Sequence, residues 1–142
     1  MKIHEIMTKE VEVISPQDSL VDAAKRMKDL GVGCLPVCDG ERLLGMLTDR
    51  DLVIRGIALD RDLKQIRVKD AMTSPISFCL EDQEVDDLAK LMKERKVRRV
   101  AVINKDRRLV GLVSLGDLVD HKELAGEVLT TISRAIGQSK AA

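Results

Sequence analysis

The chain has 142 residues, which fits one compact domain or two small lobes that share a core and is too short for an enzyme with separate cofactor and substrate domains. Its 24 lysine and arginine residues balance 24 aspartate and glutamate residues, so no overall charge draws it to nucleic acid or to an acidic membrane surface. The chain is 44% hydrophobic and 34% charged, which predicts a soluble globular protein without a membrane span, and the polar start Met1–Glu5 predicts a cytoplasmic one.

The first half of the chain has the pattern of a strand, a helix, a hairpin and a second helix. Ser19 and Asp22 have capping-box spacing, and apolar residues then recur at helical period until Gly31, which predicts one amphipathic helix. Short apolar runs that end in polar turn residues predict the strands. In chain order, the predicted elements are a strand at Val11–Ile14, a helix over Leu20–Leu30, strands at Leu35–Val37 and Leu43–Leu47, and a helix that begins near Asp49.

The second half repeats this order of elements. Its first helix has an apolar stripe of the same spacing, and the charged run Lys93–Lys96 predicts an exposed end. In chain order, the predicted elements are a strand at Ile76–Leu80, a helix with the apolar stripe Val85, Leu88, Ala89 and Met92, strands at Val100–Ile103 and Leu109–Val113, and a helix that begins near Leu115. We expect a helical extension to follow, with fraying over residues 137–142.

Comparison of the sequence with itself reveals an internal repeat, offset by 65 residues, that takes Met7-Thr8 onto Met72-Thr73. After one inserted residue, Gly45-x-x-Thr48-x-x-Asp51 falls on Gly111-x-x-Ser114-x-x-Asp117. A unit of roughly 60 residues buries too little surface to be stable alone, so we expect the two copies to pack together. The predicted fold class is α/β (α+β), with two tandem β-α-β-β-α motifs that are related by a pseudo-two-fold and packed through their sheets. The predicted boundaries are 1–65 for the first motif with its lead-in, 66–122 for the second, and 123–142 for the C-terminal helical extension.

The three cysteines raise the question of a disulfide or a metal site. If Cys34 and Cys38 lie four residues apart on one strand, their Cα atoms are roughly 13 Å apart, beyond the ~7 Å that a disulfide spans. A zinc site from these two residues, Cys79 and a histidine is conceivable, but CxxxC is not the usual zinc spacing, and His4 and His121 are isolated. We therefore predict no metal site and three small buried side chains in a reducing compartment.

One motif recurs at the strand-to-helix corner of each copy: a hydroxyl followed three residues later by an aspartate, as Thr48/Asp51 and Ser114/Asp117. Helix capping alone favours Ser, Thr and Asp at such corners. The alternative is a ligand site, because the first turn of a helix attracts anions and an aspartate can accept hydrogen bonds from both hydroxyls of a ribose. Recurrence of the pair behind a glycine, in two otherwise diverged copies, favours binding.

Taken together, these features resemble the CBS domain, a module named after cystathionine beta-synthase. The resemblance is carried by the Met-Thr lead-ins, by Leu35-Pro36-Val37 and by the Gly-apolar-apolar-Thr/Ser-x-x-Asp motif after a hairpin, and it covers Met7–Val53 and Met72–Val119. The whole chain looks like a stand-alone CBS pair of bacterial type. The resemblance implies a regulatory or sensory module, not an enzyme, that requires no cofactor. Its implied ligand is an adenosine derivative (AMP, ADP, ATP, S-adenosylmethionine or NAD) in the clefts between the motifs.

The resemblance also implies which residues contact the ligand. Asp51 and Asp117 match the family's ribose-binding aspartates, and Thr48 and Ser114 match its hydroxyl beside the ribose or phosphate. First-strand and second-strand residues would contact the adenine, with core packing as the alternative: Val13, Ile14, Leu35, Pro36 and Val37, then Ile76, Ser77, Phe78, Val100, Ala101 and Val102.

Three basic residues, Arg50, Arg98 and Arg99, are candidates for phosphate contact, since guanidinium groups match phosphate geometry. Solvated surface charge is the alternative. The second copy departs from the family pattern at Ala101, where proline is usual, and at Ser114, where threonine is common. These departures predict that the second site is weaker or takes a different number of phosphates.

We expect a homodimer, because the second helices carry apolar faces, namely Leu52, Val53 and Ile54 in the first copy and Leu118 and Val119 in the second. A regulated protein of unidentified kind is the other expected partner. The main alternative is a scaffold or interaction protein whose clefts are vestigial. Nucleic-acid binding is disfavoured because the chain has no Trp or Tyr and only Phe78 for base stacking. A Walker-type nucleotidase is rejected because Asp117 stands where a phosphate-binding loop needs lysine. Catalysis in general is disfavoured because the sequence offers no acid, base and nucleophile set that is independent of the binding motif.

Overall fold

The computed structural model describes residues 1–74 and 76–121, and the chain forms two compact units. The first-repeat unit comprises Glu12–Ile76, and the second-repeat unit joins Met1–Val11 to the described residues 77–121. The segment Met1–Val11 thus packs with the second copy, although the repeat counts it in the first. The boundaries at 65/66 and 122/123 remain predictions, and the extension predicted at 123–142 lies outside the described residues.

The first-repeat unit is built on an antiparallel hairpin. In chain order, its elements are α1 (Leu20–Leu30), β1 (Cys34–Asp39), β2 (Arg42–Thr48), α2 (Asp49–Arg55), a 3-10 turn (Ile57–Leu59) and α3 (Val68–Ala71). The predicted helices and both hairpin strands are confirmed. The predicted strand Val11–Ile14 contracts to one parallel bridge, between Ile14 and Val37. Glu10 has a φ of 54° just before this stretch, and Pro16, which has no N–H for a ladder, follows it.

The second-repeat unit is built on a sheet of order β3-β4-β5. Its elements are a 3-10 turn (Ile3–Glu5), β3 (Phe78–Leu80), α4 (Val85–Arg95), β4 (Arg99–Ile103), β5 (Leu109–Ser114) and α5 (Leu115–Val119). Strand β4 pairs in parallel with β3 and antiparallel with β5. The mixed α/β class predicted from the sequence is confirmed, while α3 and the 3-10 turns have no counterpart among the predicted elements.

Each unit has its own apolar core, and the predicted helical stripes supply one side of it. In the first-repeat unit, Leu20, Ala23 and Met27 of α1 pack with the hairpin, and the helix stops at Gly31, whose φ is 67°. In the second-repeat unit, the stripe of α4 is buried in the same way against β4 and β5: Val85, Leu88, Ala89 and Met92. The core residues therefore follow from helical and strand periodicity.

The Met-Thr lead-in of each repeat pairs with the hairpin of the other repeat. Thr73 and Met46 of β2 exchange two backbone hydrogen bonds, with N···O distances of 2.8 and 3.1 Å. Thr8 and Leu112 of β5 do the same at 2.9 and 3.0 Å. Both bridges lie within a compact unit, so each unit is completed by a piece of chain from the other copy.

The bridges explain why a glycine precedes each corner motif. A Cβ on Gly45 would lie 2.7 Å from the carbonyl oxygen of Thr73 and 2.8 Å from the sulfur of Met72. A Cβ on Gly111 would overlap the sulfur of Met7. Any side chain at these positions pushes the lead-in away from the strand.

Gly45→Ala and Gly111→Ala are therefore expected to destabilise the protein by about 1–3 kcal/mol each, the usual cost of forcing an extra methyl group into a packed site. The free energy of unfolding from denaturant titration measures the effect. Gly116→Ala is the matched control, because a Cβ there would meet only the Ser114 hydroxyl, at an ordinary 3.5 Å. An equal loss in all three variants would contradict the close-approach explanation.

Candidate functional site

The two predicted corners have the same hydrogen-bond geometry. The Thr48 hydroxyl accepts from the Asp51 N–H at 3.2 Å, and an oxygen of the Asp51 carboxylate accepts from the Thr48 N–H at 3.0 Å. Ser114 and Asp117 form the same reciprocal pair at 3.2 and 2.8 Å. Each hydroxyl–aspartate pair thus caps its short helix, α2 or α5, and the capping interpretation of the motif is correct for one carboxylate oxygen at each corner.

The second carboxylate oxygen is the part that can meet a ligand. Oδ2 of Asp51 and of Asp117 is the oxygen used in the cap. Oδ1 of Asp51 lies 3.5 Å from the hydroxyl oxygen of Thr73, a distance longer than a strong O–H···O hydrogen bond. A ligand hydroxyl that donates to Oδ1 is therefore compatible with an intact cap, because a carboxylate has about four lone-pair sites.

The two aspartates differ in burial. Asp51 is only 7% exposed and is the one charged residue classed as buried within residues 1–74 and 76–121, whereas Asp117 is partly buried. Thr48 and Ser114 are also partly buried. A desolvated carboxylate makes stronger hydrogen bonds and has more to lose when it is left without a partner. An unpartnered carboxylate oxygen therefore costs more free energy at the first corner than at the second.

Thr73 is a neighbour of the Asp51 corner that the sequence did not predict. It belongs to the Met-Thr lead-in and comes beside Asp51 only because the lead-in bridges Met46 of β2. The signal available was the recurrence of Met-Thr in both repeats, which showed that the dipeptide matters but not which strand it contacts.

The residues predicted to contact adenine lie mostly inside the core. Ile14, Leu35, Val37 and Ala101 are at most 1% exposed, and Pro36 is buried. Ile76 and Ser77 are partly buried, and Phe78 is 44% exposed. The structure does bring first and second strands together as expected, through Ile14 beside Val37 and Phe78 beside Ala101. Contact of these residues with a ligand stays a prediction, for which Phe78 offers the most accessible side chain.

The candidate arginines lie at different places around the two corners. The Arg98 carbonyl accepts from the Leu115 N–H at 2.8 Å, and Arg99 pairs with Ser114 across the sheet. In the first-repeat unit the corresponding positions are Gly33 and Cys34, and the basic residue is instead Arg50 on α2. All three arginines are exposed, and none forms an ion pair within the described part of the chain.

No group of three or more His, Cys, Asp or Glu side chains in the described ranges is placed to hold a metal ion. No helix there is long and apolar enough to cross a membrane. The three cysteines are buried and form no disulfide. The ring Nδ1 of His121 lies at hydrogen-bonding distance, 2.8 Å, from the carbonyl oxygen of Asp117.

Comparisons with known proteins identify the class of protein to which this fold and these corners belong. The chain belongs to the CBS-domain family, whose model matches residues 3–58 and 68–123. It is 42% identical to YlbB of Bacillus subtilis over 137 residues, which covers 93% of this chain and 91% of YlbB. It is 36% identical to the CBS domain-containing protein YhcV of the same organism over 134 residues, covering 92% and 94%. An inosine-5'-monophosphate dehydrogenase of Methanocaldococcus jannaschii also matches, at 31% identity, but the match covers only 24% of that enzyme.

Solved structures add the ligands of relatives. Hypoxic Response Protein I, described with two coordinated zinc ions, is similar with a TM-score of 0.78 and 34% identity, covering 85% of this chain and 98% of that one. CBSX2 in complex with AMP is similar with a TM-score of 0.73 and 27% identity, covering 84% and 93%. A hexameric CBS-CP12 protein from cyanobacteria is similar with a TM-score of 0.75 and 27% identity, covering 88% and 70%.

Burial predicts that two of the cysteines are unreactive in the folded protein. It raises the pKa of the Cys38 thiol from 9.0 to about 11 and that of Cys79 to about 12. Only the thiolate reacts, so below pH 9 the reactive fraction falls about 100-fold at Cys38 and about 1,000-fold at Cys79 relative to an ordinary thiol. Labelling with a thiol reagent, read by mass spectrometry, is expected to be slow at both residues. The same protein in denaturant is the control, and rapid native labelling of Cys79 would contradict the burial.

Proposed function

We propose that the protein is a regulatory module, not an enzyme, that binds an adenosine-containing ligand at the Thr48/Asp51 and Ser114/Asp117 corners. The observation that carries the proposal is the duplicated carboxylate, fixed through Oδ2 and able to accept a ligand hydroxyl at Oδ1. A relative with a TM-score of 0.73 is in complex with AMP, which supports an adenosine ligand.

The chemistry of the corner suits a ribose better than it suits a reaction. A carboxylate held through one oxygen accepts hydrogen bonds from a diol, and charge-assisted bonds of this kind are worth about 1.5–3 kcal/mol each. The same carboxylates serve as caps, and His121 is engaged with the backbone of α5. A capped, hydrogen-bonded carboxylate is positioned to hold a ligand, and the Thr48 and Ser114 hydroxyls beside it are already engaged in the caps. AMP, ADP, ATP, S-adenosylmethionine and NAD all carry the ribose that this corner would recognise.

Asp51→Ala and Asp117→Ala test the proposal. Each substitution is expected to weaken AMP binding at its own corner about tenfold to a hundredfold, because one or two charge-assisted hydrogen bonds are lost. Each is also expected to cost about 1 kcal/mol of stability through the lost cap. The Asp51 substitution is expected to have the larger effect on affinity. Calorimetry gives the affinities, and thermal melting gives the stabilities.

Asp49→Ala is the matched control, since it removes an exposed acidic residue from the same turn of α2 without touching the cap. If both site variants melt at lower temperature but bind AMP with unchanged affinity, Asp51 and Asp117 cap their helices and do not bind the ligand. Failure of AMP, ADP, ATP, S-adenosylmethionine and NAD to raise the melting temperature of the unmodified protein would favour a scaffold with vestigial sites.

We propose further that the chain self-associates through exposed apolar residues of α2 and the 3-10 turn that follows it. Val53, Ile54 and Ile57 are 52%, 42% and 61% exposed, and Val119 of α5 is 48% exposed. Leu52 and Leu118, which the sequence placed on the same apolar faces, are instead buried in the cores of their own units. Large apolar side chains left exposed on one short helix and the turn that follows it are candidates for an interaction surface. The hexameric CBS-CP12 relative supports self-association within the family.

Light scattering at micromolar concentration is expected to give the mass of a dimer, and Ile57→Glu is expected to shift the protein to monomer. A charge buried in an apolar interface has no partner and costs several kcal/mol. Val32→Glu is the control, because Val32 is also 42% exposed but follows α1. A monomer mass for the unmodified protein would refute self-association.

A further inference from the structure

Arg55, the last residue of α2, makes an unusual pair of contacts. Its Nη1 donates to the carbonyl oxygens of Ala71 and Met72, both at 2.9 Å. These carbonyls belong to the end of α3 and the residue that follows it, where a helix leaves backbone acceptors without intrahelical partners. One guanidinium nitrogen therefore ties the end of α2 to the start of the Met72-Thr73 lead-in.

The Arg55 contact completes a closed chain of connections that places Thr73 beside Asp51. Strand β2 leads directly into α2, and α2 carries both Asp51 and Arg55. Arg55 holds Met72, and the next residue, Thr73, returns to β2 through its two backbone hydrogen bonds with Met46. The Thr73 hydroxyl is thereby placed 3.5 Å from Oδ1 of Asp51, the oxygen that the cap does not use.

The second repeat lacks this device. The residue that corresponds to Arg55 is His121, and its ring contacts the carbonyl oxygen of Asp117 within its own helix segment. One backbone bond is common to both units: Ile3 N–H donates to the Gln83 carbonyl at 2.9 Å, and Val68 N–H donates to the Asp18 carbonyl at 2.8 Å. The second-repeat unit adds an ion pair between Lys2 and Glu84. The guanidinium clamp is therefore a property of the first corner and not a general requirement of the fold.

We propose that Arg55 is a positioning residue of the first ligand site, and that Thr73 is a further binding residue there. Arg55 holds the lead-in so that one ribose hydroxyl can donate to Oδ1 of Asp51 and accept from the Thr73 hydroxyl. Two oxygens 3.5 Å apart both lie within hydrogen-bonding reach of one hydroxyl placed beside them. This inference rests on the proposed function and assigns it a specificity: discrimination between a ribose and a deoxyribose.

The test measures the ratio of the affinities for AMP and for its 2'-deoxy and 3'-deoxy analogues by calorimetry. The parent protein carries Asp117→Ala, so that the first site alone is read. The parent is expected to prefer AMP to at least one deoxy analogue by about tenfold or more, since a site that hydrogen-bonds a hydroxyl rejects the analogue that lacks it. Thr73→Val and Arg55→Met are each expected to reduce that preference about 3-fold to 10-fold.

Two further variants separate positioning from plain stabilisation. Arg55→Lys is expected to keep most of the preference, because a single ammonium group can donate to both carbonyls just as Nη1 does. Arg67→Met also removes a guanidinium–carbonyl bond beside α3, to Gln17 at 3.0 Å, but does not touch the lead-in. It is expected to lower the melting temperature without changing the ratio.

An unchanged ratio in Arg55→Met and Thr73→Val, with AMP still bound, would overturn this inference and leave the proposed function standing. An equal loss of affinity for AMP and both analogues in Arg55→Met would do the same, because it would mark a structural role. Absence of AMP binding in the protein with both aspartates intact would remove the proposed function as well. Thr73→Val leaves the backbone bridge intact, so it decides the question if Arg55→Met does not fold.

Discussion

The close approach of the Met-Thr lead-in to a strand glycine is the contact on which each unit depends. At Gly45 the backbone of Thr73 comes so near that even a methyl group would collide with it. Two backbone hydrogen bonds to Met46 then hold the lead-in flat against β2, as an extra short strand would be. Because the lead-in comes from the other repeat, neither unit can be completed from its own copy alone. The glycine of the motif is thus explained by packing, and the Thr/Ser and Asp that follow it are explained by capping.

Capping and ligand binding are compatible roles for one carboxylate. An aspartate that only capped a helix could sit in water, where its cost of desolvation is small. Asp51 is instead nearly buried, and its cap satisfies only Oδ2. The reciprocal bond with Thr48 fixes the rotamer of the side chain and so fixes the position of Oδ1 before any ligand arrives. Such preorganisation reduces the entropy that a ligand must overcome on binding. Capping and ligand binding, the two alternatives that the sequence left open, therefore do not compete: the cap uses Oδ2 of Asp51, and the proposed ligand would use Oδ1.

Periodicity predicted the elements well and the long-range pairing poorly. The stripe ending at Gly31 and the runs on either side of Asp39-Gly40 carry local signals, so α1 and the first hairpin are readable from sequence. The bridge from Thr73 to Met46 carries none, since identical Met-Thr dipeptides in both repeats do not say which hairpin each one joins. The contacts of Arg55 could not be predicted from the sequence for the same reason. Its partners are the backbone carbonyls of Ala71 and Met72, and since every residue has a carbonyl, no sequence pattern marks them. The predicted adenine contacts coincide with core strands because both roles select apolar residues.

The two corners share the aspartate carboxylate as hydrogen-bond acceptor but differ in the charged residues around it. At the first, Asp49 and Arg50 flank Asp51 in sequence, and Gly33 and Cys34 are the neighbours across the hairpin. At the second, uncharged Leu115 and Gly116 precede Asp117, and the neighbours across the sheet are Arg98 and Arg99. The residues named therefore carry a net charge of +2 around the second aspartate and of zero around the first, where Asp49 offsets Arg50. The ribose of the proposed ligand would meet a carboxylate at either corner, whereas its phosphates would meet a more favourable field at the second. The charge difference between the copies thus bears on the anionic part of the proposed ligand, and the shared carboxylate bears on its sugar.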